Sequence, residues 1–517
     1  MKLTFFFSII FYGHCVGQIT FQKSYGILGL NAGYSSICTD DGGYLIAGSR
    51  IDFNATVEEA YLIKTDSLGE IQWTKTLSTS LSNVGRSIIK TFDNGYLFGL
   101  ERNLSPTRKD IVLLKLDSSG SVLWTKNYDN GFGNDLIGSV VQTSDSGFIL
   151  IGSTDNVIPC CREDILVIKT DKNGDIIWKK TYHGIDGVEL GTSIKQVADG
   201  GYILTGSKDD SGAGSYKVWL LKITSTGTKS WDKTFAYGKG NTVVQTSDGG
   251  YLVSGFTQIG NTSIIMIKTD SAGILQWEKI FMKSLTLDIA LAMQQTLDGG
   301  FILTGLTGNL FSYDIFLLKT DFMGNKLWLK CYGGQFDDQA YSVNQTNDGG
   351  YAIVGLSDNF PPTMRSIYFI KTDSLGNSGC NEKSLAFTDS SIIDIGNTVS
   401  SVSTPNIIVS NFSYHILSAD GSYSHCLTLN GNDVSHEEID YKMFPNPTSG
   451  IFSLDLSDSF YRGAISIYNV FGQIVYNHKI NYYGIMQIDL SLQPQGVYYI
   501  TFDEKLSSAK KLVVLKD

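Results

Sequence analysis

Seven copies of one short motif, an Asp-containing turn followed by Tyr or Phe, recur through most of the chain. DGGYLIAGS at 41 and DGGYAIVGL at 348 are its first and last copies. The last glycines of the turns are Gly43, Gly95, Gly147, Gly201, Gly250, Gly300 and Gly350. Their spacing of 49 to 54 residues indicates one repeated structural unit and constrains the fold more than any other feature.

A second motif begins with Lys and ends in Trp, as in KTDSLGEIQW at 64–73. Its Asp-x-x-Gly core is typical of a tight turn, because Asp bonds the backbone ahead of it and Gly tolerates positive φ. An apolar run precedes each copy. We expect the Trp of each copy to pack between neighbouring repeats. These residues are Trp73, Trp124, Trp178, Trp231, Trp277 and Trp328.

Each repeat therefore contains four short strands, which we label A to D, with the Tyr or Phe in strand B and the Trp in strand D. The composition agrees, since 55 Gly, 27 Tyr and 27 Phe suit short strands and tight turns. Four antiparallel strands repeated seven times predict an all-β fold, a seven-bladed β-propeller of four-stranded blades. A solenoid and a set of independent domains are the alternatives.

The ends of the repeat array carry complementary defects. FQKSY at 21–25 matches the strand D sequence WTKNY at 124, with Phe21 in the Trp position. The last copy, KTDSLGNSGC at 371–380, ends in Cys380 and lacks the Trp. We therefore expect the N-terminal strand to complete the seventh blade and close the ring, which removes two exposed strand edges.

The first 17 residues, with Lys2 followed by an apolar run, are typical of a signal peptide cleaved before Gln18. Lipid attachment at Cys15 is an alternative. No other stretch is apolar enough to predict a transmembrane segment. The net charge of −11, without a basic stripe, argues against nucleic acid as a partner. The predicted division is a signal peptide at 1–17, a propeller at 18–380, a linker with some strand character at 381–440 and a C-terminal domain at 441–517.

Six cysteines remain after the signal peptide, and export permits disulfides. Cys38 and Cys331 lie in strand patterns and are predicted to be buried thiols. The candidate disulfide cysteines are Cys160, Cys161, Cys380 and Cys426. Sequence alone does not give their connectivity.

The Asp-x-x-Gly-x-x-x-Trp motif resembles the tryptophan-docking repeats of quinoprotein-like propellers over residues 19–380. That resemblance implies a turn between strands C and D and a structural role for the Trp. Quinoprotein dehydrogenases usually have eight blades and a longer turn, so this chain departs from their pattern.

The C-terminal stretch resembles the sorting domain of type IX secretion cargo over residues 441–517. The matching positions are Pro445, Asn446, Pro447, Gly450, Gly472, Gly496, Tyr498, Lys510 and Lys511. Read from its residues alone, the stretch predicts a small β-sandwich. The resemblance implies that the type IX machinery is a partner, and that the chain crosses the outer membrane of a Gram-negative bacterium to be released or held at the cell surface.

A polar residue recurs just before strand A in six repeats. These residues are Asn31, Asn83, Asp135, Glu189, Asp288 and Asp338. If strand A is innermost, they surround one mouth of the central channel, where they could bind a cation or a sugar. The alternative, which we favour, is that they hold the D–A loops through backbone hydrogen bonds.

Little in the sequence predicts catalysis. His183 is the only histidine of the repeats and has no recognisable nucleophile partner. We predict no cofactor, with a cation at the channel mouth left open. The sequence favours a secreted or surface-displayed binding protein for an unknown extracellular glycan or protein. A glycan-active hydrolase or lyase is the alternative, and a quinone-dependent dehydrogenase is third.

Overall fold

A computed structural model describes residues 18–53, 55, 57–77, 81–105, 108–129, 133–155, 163–183, 187–209, 214–258, 262–282, 287–308, 312–359, 364–383, 388–391, 422–429, 442–445, 448–449, 451–455, 461–469, 474–482, 485–502 and 510–514. Within these residues every regular element is a β-strand. The chain divides into two compact units, residues 1–433 and 434–517. The all-β prediction is confirmed.

Each repeat forms an antiparallel sheet with strands A to D in that order, and we number the sheets by repeat. Sheet 1 comprises β2 (Gly29–Cys38), β3 (Tyr44–Asp52), β4 (Glu59–Thr65) and β5 (Ile71–Leu77). Sheet 2 comprises β6 (Asn83–Lys90), β7 (Tyr96–Ser105), β8 (Arg108–Leu116) and β9 (Val122–Tyr128). Sheet 3 comprises β10 (Asp135–Gln142), β11 (Phe148–Thr154), β12 (Asp164–Thr170) and β13 (Ile176–Tyr182).

Sheets 4 and 5 share one long strand, which serves as strand D of the first and strand A of the second. Their strands are β14 (Glu189–Gln196), β15 (Tyr202–Lys208), β16 (Lys217–Ile223), the shared β17 (Lys229–Gln245), β18 (Tyr251–Thr257), β19 (Ser263–Thr269) and β20 (Leu275–Met282). Sheet 6 comprises β21 (Leu287–Gln295), β22 (Phe301–Gly308), β23 (Tyr313–Thr320) and β24 (Lys326–Tyr332). The last repeat supplies β25 (Asp338–Gln345), β26 (Tyr351–Ser357) and β27 (Ser366–Thr372).

The fourth strand of sheet 7 comes from the N-terminus. Strand β1 (Ile19–Tyr25) pairs antiparallel with β27, with Phe21 opposite Lys371. On its other edge β1 pairs with β30 (Ser422–Leu429). Two more short strands cover outer edges, since β28 (Glu382–Lys383) pairs with β24 and β29 (Thr388–Ser391) pairs with β20. The segment after the last repeat therefore extends three sheets at their strand D edge.

Apolar side chains of neighbouring sheets form a core at each junction. Between sheets 2 and 3, for example, Leu113 packs in one cluster with Phe148 and Ile168. Strands B and C are buried along nearly their whole length, as expected for strands covered on both faces. Four-stranded antiparallel sheets packed face to face in this way are the blades of a β-propeller.

The Trp of strand D docks on the Gly of the next sheet's Asp-x-x-Gly turn. Gly174 has φ +80°, and a Cβ there would lie 2.9 Å from the Trp124 ring. Trp124 also contacts Phe148 of sheet 3, with ring centroids 6.1 Å apart. Phe21 makes the same two contacts with sheet 1, because a Cβ on Gly69 would meet its ring at 2.8 Å and its centroid lies 6.4 Å from that of Tyr44.

The second compact unit is a β-sandwich with a three-stranded and a four-stranded sheet. Its strands are β31 (Lys442–Phe444), β32 (Ile451–Asp455), β33 (Tyr461–Asn469), β34 (Ile474–Tyr482), β35 (Ile485–Asp489), β36 (Gly496–Phe502) and β37 (Lys510–Val514). Residues from both sheets, including Phe452, Ile488 and Ile500, form one buried core. Tyr498 is buried in it and donates its hydroxyl to Pro494 O at 2.6 Å.

Candidate functional site

The two ends of the strands in each repeat sheet differ, because one end carries uniform turns and the other carries connections of variable length. Pairing brings the start of strand A, the end of B and the start of C to the same edge, as for Asn83, Arg102 and Asp110 in sheet 2. We call this edge, with the B–C and D–A connections, the loop face; the A–B and C–D turns form the turn face. Each A–B turn is closed in the same way, as Thr143 N donates to Gly147 O at 2.9 Å. The B–C connections instead range from residues 106–107 to residues 155–163.

The six polar residues predicted at the channel mouth all lie at the loop face, and each is at most 3% exposed. They occupy equivalent positions, opposite the end of strand B, as Asp338 opposite Ser357 and Glu189 opposite Lys208. Gly238 takes the place in the remaining repeat, opposite Thr257. The side chains therefore sit at the junctions between sheets, where a ligand would reach them only by entering a junction.

Three members of this set show what their polar atoms do. Asn31 donates to Ile27 O and to Arg365 O, both at 2.9 Å. Asn83 donates to Leu81 O at 2.9 Å, and Asp288 accepts from Thr307 Oγ1 at 2.5 Å. The bonds of Asn31 to Ile27 O and of Asn83 to Leu81 O hold the loops entering strand A, as the structural alternative requires, whereas that of Asp288 joins strands A and B. The set as a ligand site stays a prediction.

Asp338 stands out for its electrostatics. Its carboxylate accepts from Gly334 N at 2.9 Å and from Asn359 Nδ2 at 2.7 Å. Burial is the main cause that raises the pKa of Asp338 to about 7, and the negative charge of Asp314 acts in the same direction. Asp314 is the second residue of strand C of sheet 6, so this junction brings together two carboxyl groups from neighbouring sheets.

Asp135 lies in a second carboxylate cluster. One oxygen each of Asp110, Asp129 and Asp135 lies within 4.8 Å of the others. Asp110 and Asp129 come from strand C and the end of strand D of sheet 2, whereas Asp135 begins sheet 3. Positions so far apart in the repeat could not be combined from sequence, although Asp135 itself was singled out.

The cysteines divide into thiols and a disulfide. Cys331 is a buried thiol, and Cys38 is a thiol that is only half-buried. Cys380 is disulfide-bonded. Cys426 lies in β30, with its side chain outside the described part of the structure, and Cys160 and Cys161 also lie outside the described residues. His183 is exposed immediately after strand D of sheet 3, and a role for it in catalysis stays untested.

Sequence analysis missed a pair that every repeat uses on its turn face. The Lys of the KTD-type motif has a side chain at most 7% exposed and lies 2.7–2.9 Å from the Asp two residues before the last glycine of the A–B turn. The seven pairs are Lys64–Asp41, Lys115–Asp93, Lys169–Asp145, Lys222–Asp199, Lys268–Asp248, Lys319–Asp298 and Lys371–Asp348. The signal was present, because both residues recur in every copy of the two motifs.

The pair explains the second glycine of the DGG turn. Lys222 Nζ reaches Asp199 Oδ1 at 3.0 Å and Ile223 O at 3.4 Å. A Cβ on Gly201 would lie 2.6 Å from this Nζ and 2.5 Å from Ile223 O. The buried ammonium thus occupies the space of a side chain. In the equivalent pair of sheet 5, burial opposes ionisation of Asp248, but hydrogen bonds from Lys268, Thr246 and Gly250 lower its pKa to about 2.

Comparisons with known proteins inform mainly the C-terminal unit. Residues 442–516 match the family described as Secretion system C-terminal sorting domain. A search of curated proteins gave no match to this chain. In the described part of the chain, no helix has the length and hydrophobicity needed to span a bilayer.

Three solved structures illustrate what the chain is similar to. A protein from Dyadobacter fermentans is 10% identical, with a TM-score of 0.43 over 68% of this chain and 97% of that one. The Dos1 propeller is 10% identical, with a TM-score of 0.42 over 68% and 95%. The periplasmic gluconolactonase of Pseudomonas aeruginosa is 11% identical, with a TM-score of 0.38 over 59% and 86%.

These structural likenesses are too weak to carry an argument, so the fold rests on the strand pairing described above. The sorting-domain match covers a defined part of the chain and implies contact with the secretion machinery. The predicted resemblance is therefore confirmed: the chain carries a type IX secretion sorting domain at its C-terminus and is directed to the cell surface or the extracellular space.

Proposed function

We propose that the repeat sheets form one seven-bladed propeller closed by the N-terminal strand. The proposal is supported by the contacts of β1 with both the last and the first sheet. β1 pairs with β27 of sheet 7, and its Phe21 docks on Gly69 of sheet 1 as Trp124 docks on Gly174 of sheet 3. Sheets 7 and 1 also share polar contacts, since Asn344 Nδ2 donates to Ser36 O at 2.8 Å. The first and last repeats thus contact each other as the other repeats contact their neighbours.

The propeller, on this proposal, acts outside the cell as a binding module through its loop face. The observation that carries the proposal is the contrast between the two faces. The turn face repeats the same Lys–Asp pair and the same closed A–B turn in every sheet, whereas the B–C connections of the loop face differ in length from sheet to sheet. Variable connections on a rigid scaffold are where proteins usually place binding residues.

The main alternative is a glycan-active hydrolase. Such enzymes place two carboxyl groups on either side of a glycosidic bond in an open cleft. Asp314 and Asp338 are a pair of neighbouring carboxyls, but Asp338 is 0% exposed, so a sugar ring would have to open the junction to reach it. Binding without turnover is therefore the function that this geometry supports best.

A glycan array probed with the mature chain tests the proposal. We expect saturable binding to a limited set of glycans or, with a surface-protein array, to a protein, and no release of reducing sugar. Replacing residues 156–162 with the shorter 259–261 keeps Asp155 and Glu163, which bond to Asn134 and to Glu189 N, and should weaken binding without changing thermal stability. Lys172→Ala, at an exposed position of the turn face, is the matched control and should bind normally.

Turnover that disappears when one loop-face carboxylate is changed to its amide would favour the hydrolase. Equal loss of binding in the loop replacement and in Lys172→Ala would contradict a role for the loop face. Whether the exported chain is released or held at the surface is answered separately, by immunoblotting culture supernatant and washed cells.

A further inference from the structure

Three aspartates from two neighbouring sheets converge at the loop face, and we call them the junction triad. Asp110 lies near the start of β8, Asp129 follows β9, and Asp135 begins β10. One carboxylate oxygen of each lies within 4.8 Å of the other two. Asp110 and Asp135 are buried, whereas Asp129 is exposed. The triad therefore has a buried floor and an open side through which an ion can enter.

A buried oxygen at this site lacks a hydrogen-bond donor. Asp110 is 1% exposed, and its Oδ2 accepts from Asn127 Nδ2 at 2.7 Å. Among the described residues, none donates a hydrogen bond to its other oxygen, Oδ1. Arg108 Nε lies 3.8 Å from Oδ1, and the same guanidinium pairs with Asp129 through Nη2, so Oδ1 lies on the side of Asp110 where Arg108 joins it to Asp129. A buried carboxylate oxygen without a donor is costly and favours a cation.

We propose that the junction triad binds a divalent cation, with Ca²⁺ as the ion that suits its ligands. Two oxygens on one Ca²⁺, each about 2.3–2.6 Å from it, lie at most about 5 Å apart, and the triad oxygens lie within 4.8 Å of one another. Mg²⁺ requires nearly ideal octahedral geometry and keeps several of its waters, which suits three carboxylates from separate segments less well. Ca²⁺ also accepts backbone carbonyls and water, so three carboxylates from separate segments can form part of its shell.

Arg108 is the competing cation. Its side chain is 34% exposed, so its guanidinium can move to solvent when a metal ion enters. Removing its charge should therefore strengthen Ca²⁺ binding, whereas a purely structural Arg–Asp network would lose stability with no compensating gain. A Ca²⁺ site and a purely structural Arg–Asp network thus predict opposite responses of Arg108→Gln to Ca²⁺. This variant therefore distinguishes the two.

A second junction provides an internal comparison. At the junction of sheets 6 and 7 the equivalent positions hold Asp314, Gly333 and Asp338, so the place of Asp129 is a glycine. A Cβ on Gly333 would lie 2.3 Å from Asp314 Oδ1 and 2.6 Å from Asp338 Oδ2. The junction of sheets 6 and 7 therefore packs with only two of the three carboxyl groups. The carboxylate of Asp129 in the triad is thus not needed for two sheets to pack.

Calcium titration of the mature full chain, followed by calorimetry and by Tb³⁺ luminescence, tests the proposal. We expect one saturable Ca²⁺ site with a Kd on the order of 10⁻⁴ to 10⁻³ M, as in other extracellular modules. Asp129→Asn should weaken it at least about 10-fold, since one of three charged ligands is lost. Because Asp129 is exposed, this variant should fold even if Asp110→Asn does not.

Arg108→Gln should tighten Ca²⁺ binding several-fold and should be stabilised by Ca²⁺ in thermal melts. Asp175→Asn is the control, because Asp175 pairs with Lys126 on an exposed surface and its change removes the same charge. Absence of saturable binding in both the wild type and Arg108→Gln would overturn the proposal. So would equal effects of Asp129→Asn and Asp175→Asn, since binding would then reflect net charge. This inference is independent of the binding role proposed for the loop face.

Discussion

Replacing Phe21 with Ala should loosen the last repeat sheet, although the substitution lies near the N-terminus. Phe21 is 0% exposed, and its ring packs at a centroid distance of 5.1 Å from Phe369 in β27 and of 6.4 Å from Tyr44 in sheet 1. Truncating a fully buried Phe costs about 3–5 kcal/mol through lost burial and the cavity left behind. That energy corresponds to a roughly 10²- to 10⁴-fold increase in local opening.

Hydrogen exchange measured by mass spectrometry can locate that loss. Amides of residues 366–372 should exchange faster, because β27 would lose its outer partner. Trp124→Ala is the matched control, since the same docking contact at sheets 2 and 3 should loosen those sheets instead. Leu123→Ala, at a side chain 57% exposed, should change stability by less than about 0.5 kcal/mol. Unchanged protection of 366–372 in Phe21→Ala would refute the role of β1 as a stabilising strand of sheet 7.

Three further predictions concern other parts of the chain. The pKa of Asp338 is about 7 in the folded chain and about 4 in an unfolded one, so folding takes up a proton at any pH between about 4 and about 7. The free energy of unfolding should therefore fall as the pH rises from about 4 to about 7, and then level off. Asp338→Asn should remove this pH dependence and stabilise the chain at pH 8 by up to about 4 kcal/mol in urea titrations. A pH dependence that persists in the variant would show that Asp338 does not cause it. Gly201→Ala should cost more stability than Gly200→Asn, because a Cβ on Gly200 meets nothing within 4 Å whereas one on Gly201 meets a carbonyl at 2.5 Å; equal melting temperatures would refute this. Deleting residues 434–517 should leave the repeat unit in the periplasm by cell fractionation, because the sorting domain is removed; normal export would contradict its role.

Much of the fold could be predicted because the repeats carry their own turn chemistry. Asp171 accepts backbone hydrogen bonds from Asn173 and Asp175, as the Asp-x-x-Gly pattern predicts. The Trp position was also predictable, since a large aromatic at a fixed place in each repeat needs a partner, and that partner is the Gly of the next turn. Sequence signals of this kind lie within a single repeat, and they recur in all seven repeats.

Contacts between separate segments of the chain were harder to predict. Lys169 of strand C and Asp145 of the A–B turn belong to one repeat, and the pairing of strands B and C brings them to 2.9 Å. The junction triad combines three positions of two sheets, and no single repeat contains it. The linker at 381–440 was predicted to have some strand character, and β28 to β30 lie in it. Which sheets these strands extend could not be predicted, because edge strands pair through their backbone and the sequence carries little signal for that pairing.

The place of β1 has a consequence for the order in which the chain can fold. Its two partners, β27 and β30, lie about 340 to 410 residues later in the sequence. Sheets 1 to 6 contain all their own A to D strands and can form from local contacts as the chain emerges. The first strand must wait until nearly the whole repeat unit is available, and closing so long a loop is slow. Phe21 and Tyr25 can pack early against sheet 1, but both backbone edges of β1 stay unpaired longest during synthesis and export. Those edges are what a periplasmic chaperone would most need to cover.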